Sequence, residues 1–234
     1  MNLEQATLAE CFDAVVNQRR SVRGFLNTPV PRTLIEHVFT LASRAPSNCN
    51  TQPWTTHVVS GGKLEQLRDI LPLNTQRGRM TLDFPYEPKY HGVYQERQFD
   101  AANQMYGAVG LERKDKAERL EVFMRNYRFF GAPHVAFLFL PEHFGLREAA
   151  DVGMYAQTLM LALTAHGLGS CPQTSLGFHA DAVREVLEVD ASHKLLFGIS
   201  FGYEDTSDPI NNARIGRAGL AETTVFHDLE PTPE

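Results

Sequence analysis

Three guanidinium groups and a hydroxyl crowd into "RRSVR", at Arg19, Arg20, Ser21 and Arg23. Arginine presents paired donors that match phosphate geometry, and serine adds another, so the run is a candidate oxyanion site. A solvated basic turn past a helix end is the plainer alternative. Near the other end, "NNARIGRAGL" sets Arg214 and Arg217 three residues apart, either a second pair of phosphate donors or a charged tail. Between them lies "APSNCNTQPW", Ala45 to Trp54, which carries Ser47, Asn48, Asn50, Gln52 and the only Trp. Each amide side chain both donates and accepts, which suits a ligand ring whose edge alternates acceptors with N–H. An Asx-rich turn with Trp54 anchoring a strand is the competing reading. "GLGSCPQTS", Gly167 to Ser175, reads as a helix end, a short strand and a turn, or as a loop whose backbone N–H groups face a planar ligand. It lacks the GxGxxG fingerprint, so a dinucleotide-binding Rossmann turn is not supported.

Composition narrows the classes. The formal charge is −6 over 234 residues, which argues against non-specific nucleic-acid binding, since that needs a broad basic surface. Three cysteines, Cys11, Cys49 and Cys171, form no CxxC or Cys/His metal spacing. A disulfide framework and a metal site are not expected, and a reducing cytoplasmic location is. The N-terminal stretch carries acids and lacks a continuous apolar core, unlike a signal peptide. The longest apolar tract, "MYAQTLMLALTAHGLG", is too short and polar to span a bilayer, so no membrane partner is expected. GxSxG, HExxH and Walker patterns are missing. Cys49 has no evident base to make it a nucleophile.

The positioning elements follow from periodicity. Leu8, Cys11, Phe12, Val15 and Val16 stripe one face of a first helix over about 3–18. A second helix starts with Pro31 in its first turn and stops at Pro46. "WTTHVVS" alternates as a strand, and "KLEQLRDIL" follows as a helix. From Pro72 to Gln98 the pattern is lost, and the segment is rich in aromatics, a lid candidate. Helix is expected over about 115–130, then a buried strand at "HVAFLFLP". "EAADVGMYAQTLMLALTAHGLG" reads as a helix apolar nearly all round, and therefore buried. A strand near "GSCP", the helix "ADAVREVLEV", the strand "HKLLFGISFGY" and a last possible strand at "TTVFHDLE" complete the chain. This alternation predicts one α+β domain over residues 1–234, with a mixed or antiparallel sheet around a long buried helix.

In their order and spacing, "RRSVR", "APSNCNTQPW", "HGLGSCPQ" and "NNARIGR" resemble the FMN-dependent nitroreductase family over nearly the whole chain. The resemblance implies an α+β homodimer with exchanged C-terminal arms and FMN sites built from both subunits. It assigns Arg19, Arg20 and Ser21 to the FMN phosphate and ribityl chain, and Arg23 to the flavin N1 and O2 edge, where it would act as an electrostatic stabiliser. Ser47, Asn48, Asn50 and Gln52 would approach from the partner subunit. Pro172, Gln173 and Thr174 would pack beside the isoalloxazine. Arg217 and Arg214 would reach the phosphate. The implied reaction passes hydride from NAD(P)H through FMN to a nitroaromatic or quinone-like acceptor, with ping-pong kinetics and no catalytic acid assigned. A reductive dehalogenase or dehydrogenase of the same family, or a flavin-binding module without turnover, are the alternatives. The segment 72–98 is longer and more aromatic than in compact family members. Tyr127, Phe129 and Phe130 could line the substrate pocket or belong to the core.

Overall fold

The computed structural model describes residues 6–227. Four strands, β1 (Thr55–Val59), β2 (His134–Pro141), β3 (Gly169–Gln173) and β4 (His193–Gly202), form one sheet in the order β1-β2-β4-β3. Every pairing is antiparallel. The continuous apolar run of β2 is what makes the sheet a middle layer. Its side chains alternate between two faces. Val135, Phe137 and Phe139 enter a core with α3 (Gly61–Gln76), α7 (Ala180–Leu187) and the 3-10 stretch Arg125–Gly131. Ala136, Leu138 and Leu140 enter a second core with α2 (Arg32–Ala42) and α6 (Leu146–Ala165). Burying each large apolar side chain stabilises by about 1.5–3 kcal/mol, so this strand contributes to both cores at once.

The long helix α6 packs on one face of the sheet and is not buried all round. Val152, Tyr155, Leu159 and Leu163 face the core, whereas Gly153, Met154 and Gln157 are exposed. The helix α1 (Leu8–Gln18) opens on a reciprocal cap: the Glu10 N–H donates to Thr7 Oγ1 at 3.2 Å, and the Thr7 N–H to Glu10 Oε2 at 2.7 Å. Its expected apolar stripe is only half covered in the single chain: Cys11 and Val15 are half-buried, whereas Leu8 is 87% and Phe12 58% exposed.

The region 72–98 is more ordered than its sequence suggests. α3 continues through Pro72 to Gln76, with Leu71 and Pro72 buried on its inner face. That packing offsets the roughly 3 kcal/mol that an interior proline costs a helix. A further helix, α4 (Val93–Ala108), follows with no buried residue. The irregular stretch is therefore 77–92, and its first half is clamped. Thr81 N–H donates to Phe178 O at 2.9 Å, and the Ala180 N–H to Thr81 O at 3.0 Å. Asp83 pairs with Arg184 and accepts the Leu195 N–H at 2.7 Å. Helix α5 (Lys116–Met124) passes into a 3-10 stretch over Arg125–Gly131, in which Phe129 and Phe130 take left-handed φ values of 57° and 54°. At the C-terminus the expected strand at "TTVFHDLE" is not seen. A short helix, α8 (Leu220–Thr223), precedes non-strand residues, and positions 228–230 lie outside the described residues. Among the described residues no helix is long and apolar enough to cross a membrane.

His134 stitches the first strand's end to the second core. Its Nε2 accepts the Val30 N–H at 2.9 Å, so the proton sits on Nδ1, which donates to Ser60 Oγ. Burial pushes its pKa below the ordinary 6.5. Protonation would set a second N–H against the Val30 donor. The unfolded chain binds the proton more readily, so this contribution is present above about pH 6.5 and is lost as pH falls toward the depressed folded value. Urea midpoints are expected to drop between pH 7.5 and 5.5, and to drop less in His134→Gln, whose amide can make both hydrogen bonds. An equal drop in the two proteins would rule this account out.

Candidate functional site

The "RRSVR" run leaves α1 and immediately joins the sheet edge. Arg19 caps the helix through its N–H to Val15 O at 3.0 Å. Ser21 then bridges Ser170 of β3 in parallel fashion, with the Val22 N–H donating to Ser170 O at 3.0 Å. Two motifs far apart in the sequence, at Ser21 and Ser170, thus lie side by side. A third is tied in by Asn211, which is 3% exposed. Its Oδ1 accepts the Arg23 N–H at 2.8 Å, and its Nδ2 donates to Gly24 O and Asp205 O at 2.8 and 2.9 Å. The close approach explains Gly24, where an added Cβ would stand 2.6 Å from Asp208 Oδ2.

Arg19, Arg20, Arg214 and Arg217 line one cavity of about 660 Å³, together with Gln157 of α6 and no acidic residue. Arg20 pairs with Glu204, yet its Nη1 is buried without a partner. Arg214 donates to Asn211 O at 2.6 Å, and Arg217 to Ile215 O and Gly216 O at 2.9 Å each, so both meet only backbone carbonyls. The Arg19 pKa is lowered, first by burial and then by the Arg217 charge. Like charges held together beside an unsatisfied donor describe a receptor for an anion with several oxygens.

Arg23 is half-buried beside Cys171, and its Nη1 donates to Ser21 O at 3.3 Å. Burial pushes the Cys171 thiol up to about 11, against the opposing pull of Arg23, Ser21 and Arg19. The thiol therefore stays protonated at neutral pH and is no nucleophile. On β3 the side chains alternate: Pro172 is exposed and Gln173 buried, and Thr174 just beyond is exposed. The expectation for Gln173 is corrected in this respect. Its Nε2 donates to Asn126 O at 2.8 Å, and its Oε1 accepts from Ser200, so its amide serves the core.

Ser47, Asn48, Asn50 and Gln52 form a compact turn that does not reach the arginine cavity within the chain. The Gln52 N–H donates to Ser47 Oγ at 2.9 Å. Cys49, Asn50 and Gln52 all have left-handed φ, at 49°, 56° and 48°. Asparagine tolerates that region, but the other two hold strain of order 1 kcal/mol or more each. Asn48, Asn50 and Gln52 are exposed. Trp54 stacks on Tyr155 with ring centroids 4.9 Å apart, the anchor its position suggests. The aromatic trio resolves toward the core: Tyr127 is 1%, Phe129 0% and Phe130 5% exposed. Tyr127 and Phe129 are corrected as pocket residues, since the left-handed kink turns these rings under the sheet.

A family model for the nitroreductase family matches residues 16–203. The chain belongs to the nitroreductase family. Among curated relatives it is 48% identical to nitroreductase NfnB of Mycolicibacterium smegmatis, over 94% of each chain. It is 40% identical to a 4-nitrobenzoate reductase of a Nocardioides species, over 93% of this chain and 90% of that one. Among solved structures it is similar to the FMN-dependent nitroreductase NfnB from Mycobacterium smegmatis in complex with NADPH. The TM-score is 0.91 at 47% identity, covering 94% of this chain and 100% of the other. Within this nitroreductase-family chain three of the four motifs converge, and the Ser47–Gln52 turn stands apart. Sequence reasoning missed Asn211, Glu204, Gln157 and Asp151. Only the last three-motif junction carried a hint, in the paired asparagines of "NNAR".

Asp151, 5% exposed on α6, accepts the Asn48 N–H at 3.0 Å and fixes the start of the strained turn. A hydrogen bond to a charged group contributes about 1.5–3 kcal/mol. In Asp151→Ala the amides of residues 48–52 are expected to exchange with deuterium about tenfold faster or more, while Asp151→Asn keeps most of the protection. Unchanged exchange in the alanine variant would show that the turn holds itself.

Proposed function

We propose that the protein is an FMN-dependent oxidoreductase that takes reducing equivalents from NAD(P)H and reduces aromatic nitro or quinone-like compounds. The observation that carries this is the acid-free cavity lined by Arg19, Arg20, Arg214 and Arg217. That donor set fits the phosphate of FMN. Relatives that are nitroreductases by name, matched over nearly their full length, support the reaction class.

Bound FMN supplies two-electron transfer between a nicotinamide and an aromatic acceptor. The chain's own residues hold and tune it. The four arginines would neutralise the phosphate, with Ser21 next to them at the sheet edge. Arg23, fixed through its backbone by Asn211, would supply a positive charge to stabilise the charge that develops on the ring when it is reduced. Pro172 and Thr174 present the exposed side of β3. No side chain is assigned as a proton donor. The stretch 87–92, exposed throughout, leads into the exposed helix α4. We take this part of the aromatic segment as the edge of the acceptor site.

The active form is inferred to be a homodimer with exchanged C-terminal arms, as expected for this family. The half-covered stripe of α1, the open edge of β1 and the exposed Val225 and Phe226 (75% and 60%) support it. So does the exposed turn of Ser47, Asn48, Asn50 and Gln52, which would complete the partner's flavin site. The free state of Cys11, Cys49 and Cys171 agrees with a reducing cytoplasm.

The purified protein is expected to show a flavin spectrum that bleaches anaerobically with NADH or NADPH and returns on adding a nitroaromatic acid. A bound flavin that neither donor bleaches would favour the dehydrogenase or dehalogenase alternative. No flavin, even after adding FMN, would refute the reading altogether. Two variants separate the roles within the site. Arg217→Ala is expected to weaken FMN binding about tenfold or more, as loss of a charged hydrogen bond implies. Arg23→Ala is expected to lower the flavin midpoint potential and slow reduction more than it weakens binding. Wild-type affinity, potential and rate in both would reject the assignment.

A further inference from the structure

A second basic cavity, of about 420 Å³, lies between α3, the kinked 3-10 stretch and the loop before Asn211. Arg68, Arg125 and Arg128 line it, with Asp208 as its one acid and Phe25 and Phe130 among its walls. It shares no lining residue with the cavity of Arg19 and Arg217. Three guanidinium groups around one small hollow are unexpected on a chain whose formal charge is −6. Two of them are partly committed. Arg68 pairs with Glu65 at 2.5 Å and donates to Ala132 O at 2.6 Å. Arg125 pairs with Asp208 and donates to Arg23 O at 3.0 Å, both through one terminal nitrogen. Arg128 is exposed and, among the described residues, makes no ion pair.

The walls add a second feature. Phe129, Phe130 and Gly131 take left-handed φ in succession, at 57°, 54° and 82°. Bulky aromatics rarely hold that conformation, and strain of this type gathers at functional sites. Here it turns Phe130 to the cavity and presents its backbone oxygen to the Phe25 N–H at 3.3 Å.

We propose that this cavity is an accessory site for a small organic carboxylate with a flat apolar body. Arg128 would supply a fork of donors to the carboxylate, and the unused nitrogens of Arg125 would add to it. Phe25 and Phe130 would face the apolar part. The size lies within the range of small-molecule sites. Free phosphate offers the same oxyanion chemistry without the body, and is the comparison that decides whether the aromatic walls take part.

The probe is benzoate, titrated calorimetrically into FMN-loaded enzyme at constant ionic strength, with visible difference spectra taken in parallel. Benzoate stacked on the flavin perturbs its spectrum, whereas benzoate held by Arg128 does not. The expected result is a spectrally silent binding event in the wild type, weakened at least tenfold in Arg128→Glu and largely kept in Arg128→Lys. Phosphate is expected to bind this site more weakly than benzoate does. Benzoate uptake fully accounted for by the flavin spectrum would overturn the proposal. So would an unchanged isotherm in Arg128→Glu, or phosphate binding tighter than benzoate.

Discussion

Arginine cannot shed its charge to relieve crowding. Aspartate, glutamate, histidine and lysine can titrate toward neutrality when burial or a like charge presses on them, but guanidinium stays ionised in proteins. Holding Arg19, Arg20, Arg214 and Arg217 around one acid-free cavity is therefore a standing electrostatic debt of the fold; the Arg19 pKa is lowered first by burial and then by the Arg217 charge. The chain answers it only in part, through Glu204 on Arg20 and backbone carbonyls on Arg214 and Arg217. In the reading we propose, the FMN phosphate would answer the remainder. Cofactor binding and stability are thus linked, because a ligand that binds only the folded state stabilises it by mass action.

The rest of the structure keeps those arginines from escaping one another. Ser21 is pinned to Ser170 at the sheet edge, and Asn211 bonds both Arg23 and Gly24 with its single amide. Asn211 is the more consequential of these ties. It spans the first and last motifs and is buried, so its loss would leave the Arg23 N–H unpaired, at a cost of about 1–3 kcal/mol, while Gly24 O and Asp205 O would keep the Asp205 and Asp208 N–H groups. The sheet beneath is stiff because β2 is buried on both faces. A rigid platform carrying a charged, partly satisfied rim is the arrangement that positions a large cofactor without reorganisation.

Much of this was legible from residue types. The strands β1, β2 and β4 announced themselves through alternation or continuous apolarity, and "RRSVR" and "NNARIGR" through the geometry of guanidinium. The misreadings have physical causes. Pro72 looked like a helix end because propensity is local, whereas the packing of Leu67 and Leu71 that carries α3 onward is tertiary. α4 was missed because it buries nothing and so lacks an apolar period. Gln173 was placed at the ligand because it sits in the right motif. Which way a strand residue points depends on register, and here β3 pairs Gln173 with Gly198 and turns its amide to Ser200 and Asn126. Asp151 and Glu204 escaped notice because their partners, Asn48 and Arg20, lie far away in sequence.

The turn of Ser47, Asn48, Asn50 and Gln52 carries the argument from the chain to the assembly. Within one chain its amides are exposed, and its backbone is left-handed at three residues and strained at two of them, Cys49 and Gln52. Such strain persists only where surrounding contacts over-determine it, and Asp151, Ser47 Oγ and the Trp54–Tyr155 stack do this from below. The turn is thus pre-formed, with its polar groups aimed outward. A pre-formed recognition surface with nothing to recognise on its own subunit implies a target on another. The half-covered stripe of α1 lies at the start of the chain, and the open edge of β1 directly follows Trp54. In the homodimer we propose, one symmetric association would cover both and bring each turn to the partner's arginine cavity.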